Sequence, residues 1–336
     1  MNNFNSNNIM ERRSIPPEMN KVLVGQRFDR RAHEYDRYAD VQTKMIQTLL
    51  DWQPVQQHMQ VLKEQNGNHN LRMHEPSKLL DIGCGTGALT QAVISALPST
   101  SIELSMLDLS PRMLQEAQRK LMLAGYDVEQ IQLIAADAEK WAAVDKVMDN
   151  DNDSGTRTIT QSQDSYDLIL SSAAFQWFNQ PQFTLQALYK RLRTKGMLTF
   201  ATFMPGTLQQ LHEACAYADS QLNFDVHPRG QAYVNAVDWQ TWMGKCTSSS
   251  AWMEQEWTLT YDSLEDMLQR VRRIGASNAL QQRSAPITRK WIHYMKEYYY
   301  EHYGMENGSV HVTYRAGFGY ISSEQISNKI NESSLK

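Results

Sequence analysis

The sequence predicts an α/β chain built on an open, mostly parallel sheet, and three stretches carry that expectation. Residues 78–91 read KLLDIGCGTGALTQ. An apolar run there (Leu79, Leu80, Ile82) holds Asp81 and enters Gly83-Cys84-Gly85-Thr86-Gly87, after which residues 88–97 can form a helix. Glycines serve where a chain turns sharply at positive φ or where a ligand must touch the backbone. The helix start beyond such a turn offers free N–H groups to a polar or negative ligand group. Next, apolar residues 101–107 lead to Asp108 in LDLSPRML, and residues 131–135 lead to Asp137 in AADAE. An acid at the tip of the second strand suits a ribose diol, whose two hydroxyls need acceptors. Finally, residues 166–170 form another apolar run that ends in SSAAFQWF.

Composition bounds the answer. At 336 residues the chain can hold one large α/β domain with an insertion, or two small domains. Hydrophobic residues make up 41% and charged residues 21%, enough for a packed core. A formal net charge of −4 gives no reason to expect a nucleic-acid partner. The three cysteines, Cys84, Cys215 and Cys246, have no C-x-x-C spacing, so neither a zinc site nor a disulfide framework is expected. No run reaches the length of a membrane span. The opening MNNFNSNNIMERRS lacks the apolar core of a secretory signal, which leads to the expectation of a cytoplasmic enzyme.

In chain order, residues 1–17 are Asn/Ser-rich and then basic, and are expected to be disordered. In residues 21–50, Phe28, Ala32, Tyr35 and Ala39 recur every three or four positions, which predicts one face of a helix. The polar stretch 53–77 reads as a helix end and a loop. Ser110 with Pro111 predicts a capped helix start, with Met113, Leu114, Ala117 and Leu121 as its apolar stripe. Residues 146–164 read as an acidic surface insertion. Its Asp-x-Asp pairs lack the glycine and closing glutamate of a calcium loop, so no metal is expected.

Residues 181–192 predict a helix with Phe183, Leu185, Leu188 and Leu192 inward, and 197–203 predict strand five. Residues 207–243 read as helix, loop, helix, and 252–261 as a strand. Ser263 caps a helix carrying Leu264, Met267, Leu268, Val271 and Ile274, a further helix lies in 286–303, and 309–321 form the final strand. The expected division is therefore a core over 18–206, a cap insertion over 207–305 that contains a late core strand near 252–261, a final strand over 306–321, and a frayed tail over 322–336. Ligands bind at the C-terminal edge of open α/β sheets, so a cap belongs there.

The set D-I-G-C-G-T-G, D-L-S, A-D-A and Y-D-L-I-L-S resembles the class I S-adenosylmethionine (SAM)-dependent methyltransferases. A dinucleotide fold prefers G-x-G-x-x-G, a pattern that tolerates Ala88, but the later acids favour SAM. The resemblance implies a Rossmann-like sheet, mostly parallel with an antiparallel last strand, and a helical cap inserted after strand five. It implies SAM as cofactor, S-adenosylhomocysteine (SAH) as product, and no metal. By the same resemblance Asp81, Gly83, Gly85 and Gly87 surround the methionine end and the loop, while Asp108 takes the ribose hydroxyls and Leu109 lies against adenine. Asp137 accepts from the adenine amino group, Ala138 donates a backbone N–H to the ring, and Ser171 begins the turn after strand four. Arg30 pairs with the methionine carboxylate.

Over residues 25–321 the chain further resembles the malonyl-[acyl-carrier protein] O-methyltransferases of biotin biosynthesis. The resemblance rests on Phe28-x-Arg30-x-Ala32-x-x-Tyr35-x-x-x-Ala39-x-x-Gln42, Ser171-x-x-x-x-Gln176-Trp177, and Thr202-Phe203-x-x-Gly206-Thr207-Leu208-x-x-Leu211-His212. Ile274-Gly275-Ala276-Ser277, Arg283 and Thr313-Tyr314 continue it, and the polar stretches 53–77 and 145–164 depart from it. It implies methyl transfer to the free carboxylate of malonyl-[acyl-carrier protein] or malonyl-CoA, by a monomer, to start pimeloyl-chain synthesis. Methyltransferases of small acids such as trans-aconitate share some of these pieces, and a non-catalytic SAM-binding module is a third reading. A malonyl carboxylate is ionised at neutral pH and needs no general base. Burying it without a partner costs several kcal/mol, so a cationic or hydroxyl-bearing clamp is expected. The candidates are Tyr35, Trp177, His212, Arg283 and Tyr314. An acidic carrier protein would land on basic residues, for which Arg270, Arg272, Arg273, Arg283, Arg289 and Lys290 offer one surface. Arg191, Arg193 and Lys195 offer another.

Overall fold

The computed structural model describes residues 18–67, 75–97, 102–127, 131–144, 165–224, 231–274 and 287–323. The expected disordered N-terminus, the 145–164 insertion, Arg283 and the tail beyond 323 lie outside them. The sheet is built from β1 (Ser77–Ile82), β2 (Ile102–Asp108), β3 (Ile131–Ala135), β4 (Tyr166–Ser172), β5 (Leu192–Phe203), β6 (Ser250–Tyr261) and β7 (Val310–Ser322). Their order is β3-β2-β1-β4-β5-β7-β6. β1 pairs in parallel with both β2 and β4, and β7 runs antiparallel between β5 and β6. The order reverses between β1 and β4, and such a switch point opens a crevice beyond the strand ends.

Contiguous apolar runs make the central strands because both of their faces are covered. Side chains alternate faces along each strand. Leu79, Met106, Leu168 and Leu170 therefore join one buried cluster, whereas Leu80, Ile82, Leu107 and Ile169 join the other. The first cluster is closed by α2 (Asp40–Asp51), α3 (Gln53–Gly67), α4 (Ala88–Ser95) and α5 (Pro111–Leu123). The second is closed by α6 (Ala138–Ala143) and α7 (Pro181–Tyr189). α5 starts as its sequence predicts: the Ser110 hydroxyl accepts from Met113 N at 3.2 Å, with Pro111 in the first turn.

Five local expectations need correction. The helix face expected of Phe28, Ala32, Tyr35 and Ala39 is broken: α1 (Lys21–Arg31) ends before Ala32, and a 3₁₀ turn at Tyr35–Tyr38 separates it from α2. The polar stretch from 53 is a 15-residue helix, α3, anchored by fully buried Val55 and nearly buried Leu62. Met59 packs against the same cluster, so Val55, Met59 and Leu62 mark its inner face at helical spacing amid polar residues. α7 stops at Tyr189, so Leu192 lies in β5 and Phe183 is 63% exposed. β5 starts five residues early, at Leu192, because a bulge with Lys195 at φ 67° interrupts its pairing with β4. β7 continues to Ser322, and the Ser323 hydroxyl donates to Arg193 O at 2.7 Å.

The residues after β5 form α8 (Gln209–Gln221), α9 (Ala236–Cys246), α10 (Leu264–Arg273) and α11 (Arg289–Tyr303). They divide between the faces of the sheet. α8, α10 and α11 share the first cluster, and Tyr217 stacks on Tyr298 at 4.7 Å. α9 joins the second cluster through Trp239 and Met243. β6 forms a twelve-residue rim of the sheet, and Glu254, Gln255 and Glu256 are exposed at its middle. No helix of the described residues is long and apolar enough to cross a membrane.

Candidate active site

A cleft with about 650 Å³ of empty volume, part of it open to solvent, lies beyond the ends of β1, β2, β3 and β4. Its floor is backbone. Gly83 N and Cys84 N donate to Leu107 O at 2.7 and 3.1 Å, which folds the glycine turn over β2. Gly83 has φ 66°, and a Cβ there would meet Ala174 Cβ at 2.3 Å, so only glycine fits. A Cβ on Gly85 would meet nothing within 4 Å, which leaves room for a ligand against the loop.

Asp108 sits at the tip of β2 on the cleft wall. Its Oδ2 accepts from Gly85 N at 2.9 Å and its Oδ1 from Ser110 N at 2.8 Å. Burial pushes its pKa up to about 6, despite those two N–H donors. Leu109 lies beside it and packs with Met19, Val24, Phe28 and Trp177. At the tip of β3, the Asp137 carboxylate caps α6 by accepting from Glu139 N at 3.1 Å. Asp137 and Ala138 both line the cleft.

Other expected residues lie behind the wall. Asp81 is 1% exposed; its Oδ2 accepts from Thr90 Oγ1 at 2.5 Å, and burial pushes its pKa up to about 7. Its Oδ1 is buried with no hydrogen-bond partner. The Ser171 hydroxyl donates to Ile82 O at 2.8 Å, joining β4 to β1, whereas the neighbouring Ser172 is on the wall. Ser172 Oγ is buried without a partner. Gly87, at φ 82°, starts α4 where a Cβ would lie 3.0 Å from Ala117 Cβ. Arg30 is exposed on α1, and His212 lies on α8, where burial pushes its imidazole pKa down. Tyr314 is buried on β7 against Phe203. Arg30, His212 and Tyr314 are not among the residues that line the cleft.

The outer wall comes from the chain before β1, together with the loop after β4. Lys21, Val24, Phe28 and Tyr35 face Trp177 and Phe178. Phe28 meets the Trp177 ring edge-on at 5.6 Å and the Tyr35 ring at 6.1 Å. Burial, reinforced by the negative charges of Asp108 and Asp36, drives the Tyr35 phenol well above its ordinary pKa. It therefore stays a neutral hydrogen-bond donor at any working pH. Side chains hold this segment down. Asp29 accepts from Ser110 Oγ at 2.5 Å, and Asp36 accepts from Thr86 Oγ1 at 2.5 Å and pairs with Lys120. Lys21 pairs with Glu139 at 2.7 Å, and Met19 N donates to Asn179 Oδ1 at 2.7 Å.

Sequence reasoning passed over Lys21, Ser172, Ala173 and Phe178, all on the wall, and the latches Asp29 and Asp36. Phe178 could have been found beside Trp177. The two aspartates gave no signal, because the break between α1 and α2 hides which way they point.

The residues present fit a nucleoside carrying a cationic centre. A carboxylate stands at the wall for a diol, and the space beside Gly85 is open. Lys21 is the one cation among the described lining residues and is matched by Glu139, so the net field of Asp108 and Asp137 is negative. Among the described residues no cluster of His, Cys, Asp and Glu could hold a metal ion.

Comparison with known proteins gives the chemistry. Residues 80–198 match the family model described as a methyltransferase domain. The chain is 30% identical over 297 residues to the malonyl-[acyl-carrier protein] O-methyltransferase of Brevibacillus brevis, covering 88% of this chain and 94% of that one. It is 29% identical over 296 residues to the protein of the same name from Halalkalibacterium halodurans, covering 88% and 96%. Among solved structures, the YcgJ protein of Bacillus subtilis superposes with a TM-score of 0.46 at 12% identity, covering 80% of this chain and 99% of that one.

Proposed function

We propose, for a chain that belongs to the malonyl-[acyl-carrier protein] O-methyltransferase family of SAM-dependent methyltransferases, that it esterifies the free carboxylate of a malonyl thioester. The thioester is carried on acyl-carrier protein or CoA, and the methyl ester would start pimeloyl-chain synthesis for biotin. SAM, when bound, supplies a methyl group on a sulfonium that is already a good leaving group. The chain's task is binding, alignment and exclusion of water. Asp108 would accept from the ribose hydroxyls, Asp137 and Ala138 would meet the adenine edge, and Leu109 its face. The glycine turn, with Asp81 beneath it, would border the methionine end.

The observation that carries the substrate reading is the aromatic wall of Tyr35, Phe28 and Trp177. It supplies a phenol and an indole N–H, two neutral donors able to hold an ionised carboxylate without taking its charge away from the reacting oxygen. A carboxylate nucleophile is already ionised, so this wall needs no general base. Closure of the N-terminal segment would strip water from that oxygen. For the carrier protein, Arg272, Arg289 and Lys290 are exposed on α10 and at the start of α11. Arg270 and Arg273 are engaged with Asp40 and Glu34.

The test is a methyl-transfer assay with malonyl-carrier protein, malonyl-CoA and trans-aconitate at low and high salt. Methyl-ester formation on the malonyl thioesters, with a carrier preference that fades at high salt, supports the reading. Preference for trans-aconitate replaces the substrate, and SAM binding without turnover on any of the three removes the reaction.

A further inference from the structure

We propose that Gln176 is a positioning residue that ties β5 and the segment before α9 to the turn carrying Trp177, an inference that rests on reading that wall as substrate-facing. β4 ends at Ser172, and the chain then turns through Ala173 at φ 55°. A non-glycine residue holds that conformation only where its surroundings over-determine it. Ala173 N donates to Ala201 O on β5 at 2.9 Å. Its carbonyl is held by Gln176 Nε2 at 2.6 Å, within the 3₁₀ turn Phe175–Trp177.

The Gln176 amide can face only one way. A carbonyl only accepts, so the NH₂ must point to Ala173 O, which leaves Oε1 for a donor. That donor is the Thr202 hydroxyl at 3.3 Å, from a residue 1% exposed on β5. The main-chain carbonyl of Gln176 in turn accepts from Gln231 Nε2, a few residues before α9. One residue thus joins the left-handed turn, the fifth strand and the segment before α9. It directly precedes Trp177, whose main-chain N–H donates to Ala174 O at 2.9 Å and whose ring meets Phe28. Gln176 is not itself among the residues lining the cleft, so its effect passes through Ala173 and Trp177.

Gln176→Met keeps the length and loses both amide bonds. Its kcat for the malonyl thioester should fall by about tenfold to 100-fold, the loss expected when a reacting group drifts by up to an ångström. SAH affinity should stay within about threefold, because the Asp108 side of the cleft is untouched. Thr202→Val should cost less alone and add nothing on top of Gln176→Met, as expected for partners in one network. Gln176→Glu supplies a signature that lost stability would not give. Its carboxylate faces the Ala173 carbonyl and repels it, whereas the protonated acid can donate to it. Its turnover relative to wild type should therefore rise as the pH is lowered from 8 to 5.

Hydrogen exchange gives a readout independent of substrate. The amides of residues 173–178 should exchange at least about tenfold faster in Gln176→Met than in wild type. If the wild-type chain does not methylate malonyl thioesters, the functional reading falls and the exchange measurement alone decides this one. Unchanged exchange overturns the proposal. So does faster exchange accompanied by wild-type kcat, or a flat pH ratio for Gln176→Glu.

Discussion

The two halves of the cleft are held by different kinds of bond. On the β1–β2 side, main-chain geometry does the work: Gly83, Cys84 and Gly85 donate backbone N–H groups to Leu107 O and Asp108. On the outer side, side chains do it: Asp29, Asp36, Lys21 and Gln176 pin short segments onto the turns and helices around the sheet. A wall made of backbone has few alternatives, since moving it breaks ladder bonds. A wall made of side-chain latches can open one latch at a time. The first suits a cofactor whose shape never varies, and the second suits a surface that must part for substrate and close again.

Damage to the backbone half should be the more severe. Gly83→Ala drives a methyl into Ala174 at a residue with positive φ, so SAH affinity should fall by at least about 100-fold while circular dichroism still shows a folded chain. Near-normal binding would mean that the turn is softer than its bonds suggest. Asp108→Ala comes next. Losing a charged acceptor should weaken SAH binding by roughly tenfold to 100-fold in calorimetry, and unchanged affinity would remove the ribose role.

Acid probes the same half without mutation. Asp108 has its pKa pushed up to about 6, so below that pH it is protonated and loses acceptor capacity. A ligand that prefers the ionised form binds more tightly as pH rises to about 6 and then levels off. Below it, SAH affinity should drop by up to about tenfold per pH unit, and Asp108→Asn should flatten the curve. A wild-type curve that is flat from pH 8 to 5 would detach Asp108 from the cofactor. The smallest effect belongs to the latched half. Asp36→Ala loses the bonds to Thr86 and Lys120, and should weaken SAH binding only about threefold to tenfold, mainly through faster release in stopped flow. A loss as large as that of Asp108→Ala would erase the contrast between the halves.

Legibility in the sequence follows the same divide. β1, β2, β3 and β4 could be read because each is a short, mainly apolar run, and the first three lead into a glycine turn or an acid. That placed Gly83, Gly85, Asp108 and Asp137 at strand tips before any coordinates. What could not be read depends on contacts distant in sequence. The break after Arg31 goes with Asp29 and Asp36 reaching Ser110, Thr86 and Lys120, partners 50 to 84 positions away. Which of two adjacent serines faces the cleft depends on strand phase where β4 gives way to the turn; Ser171 turns to Ile82 O and Ser172 to the wall. The early start of β5 is hidden by a bulge, which breaks the alternation that marks a strand.

The β6 rim has a consequence for the molecule in company. An open strand edge of twelve residues is a template onto which another chain can add, and such edges are where sheets stick to one another. Here Glu254 and Glu256 stand exposed at its centre, each close to Arg315. A second copy adding antiparallel at that point would crowd carboxylates against carboxylates and strip them of water. The rim thereby carries its own deterrent to sticking, at the edge of the sheet farthest from β3.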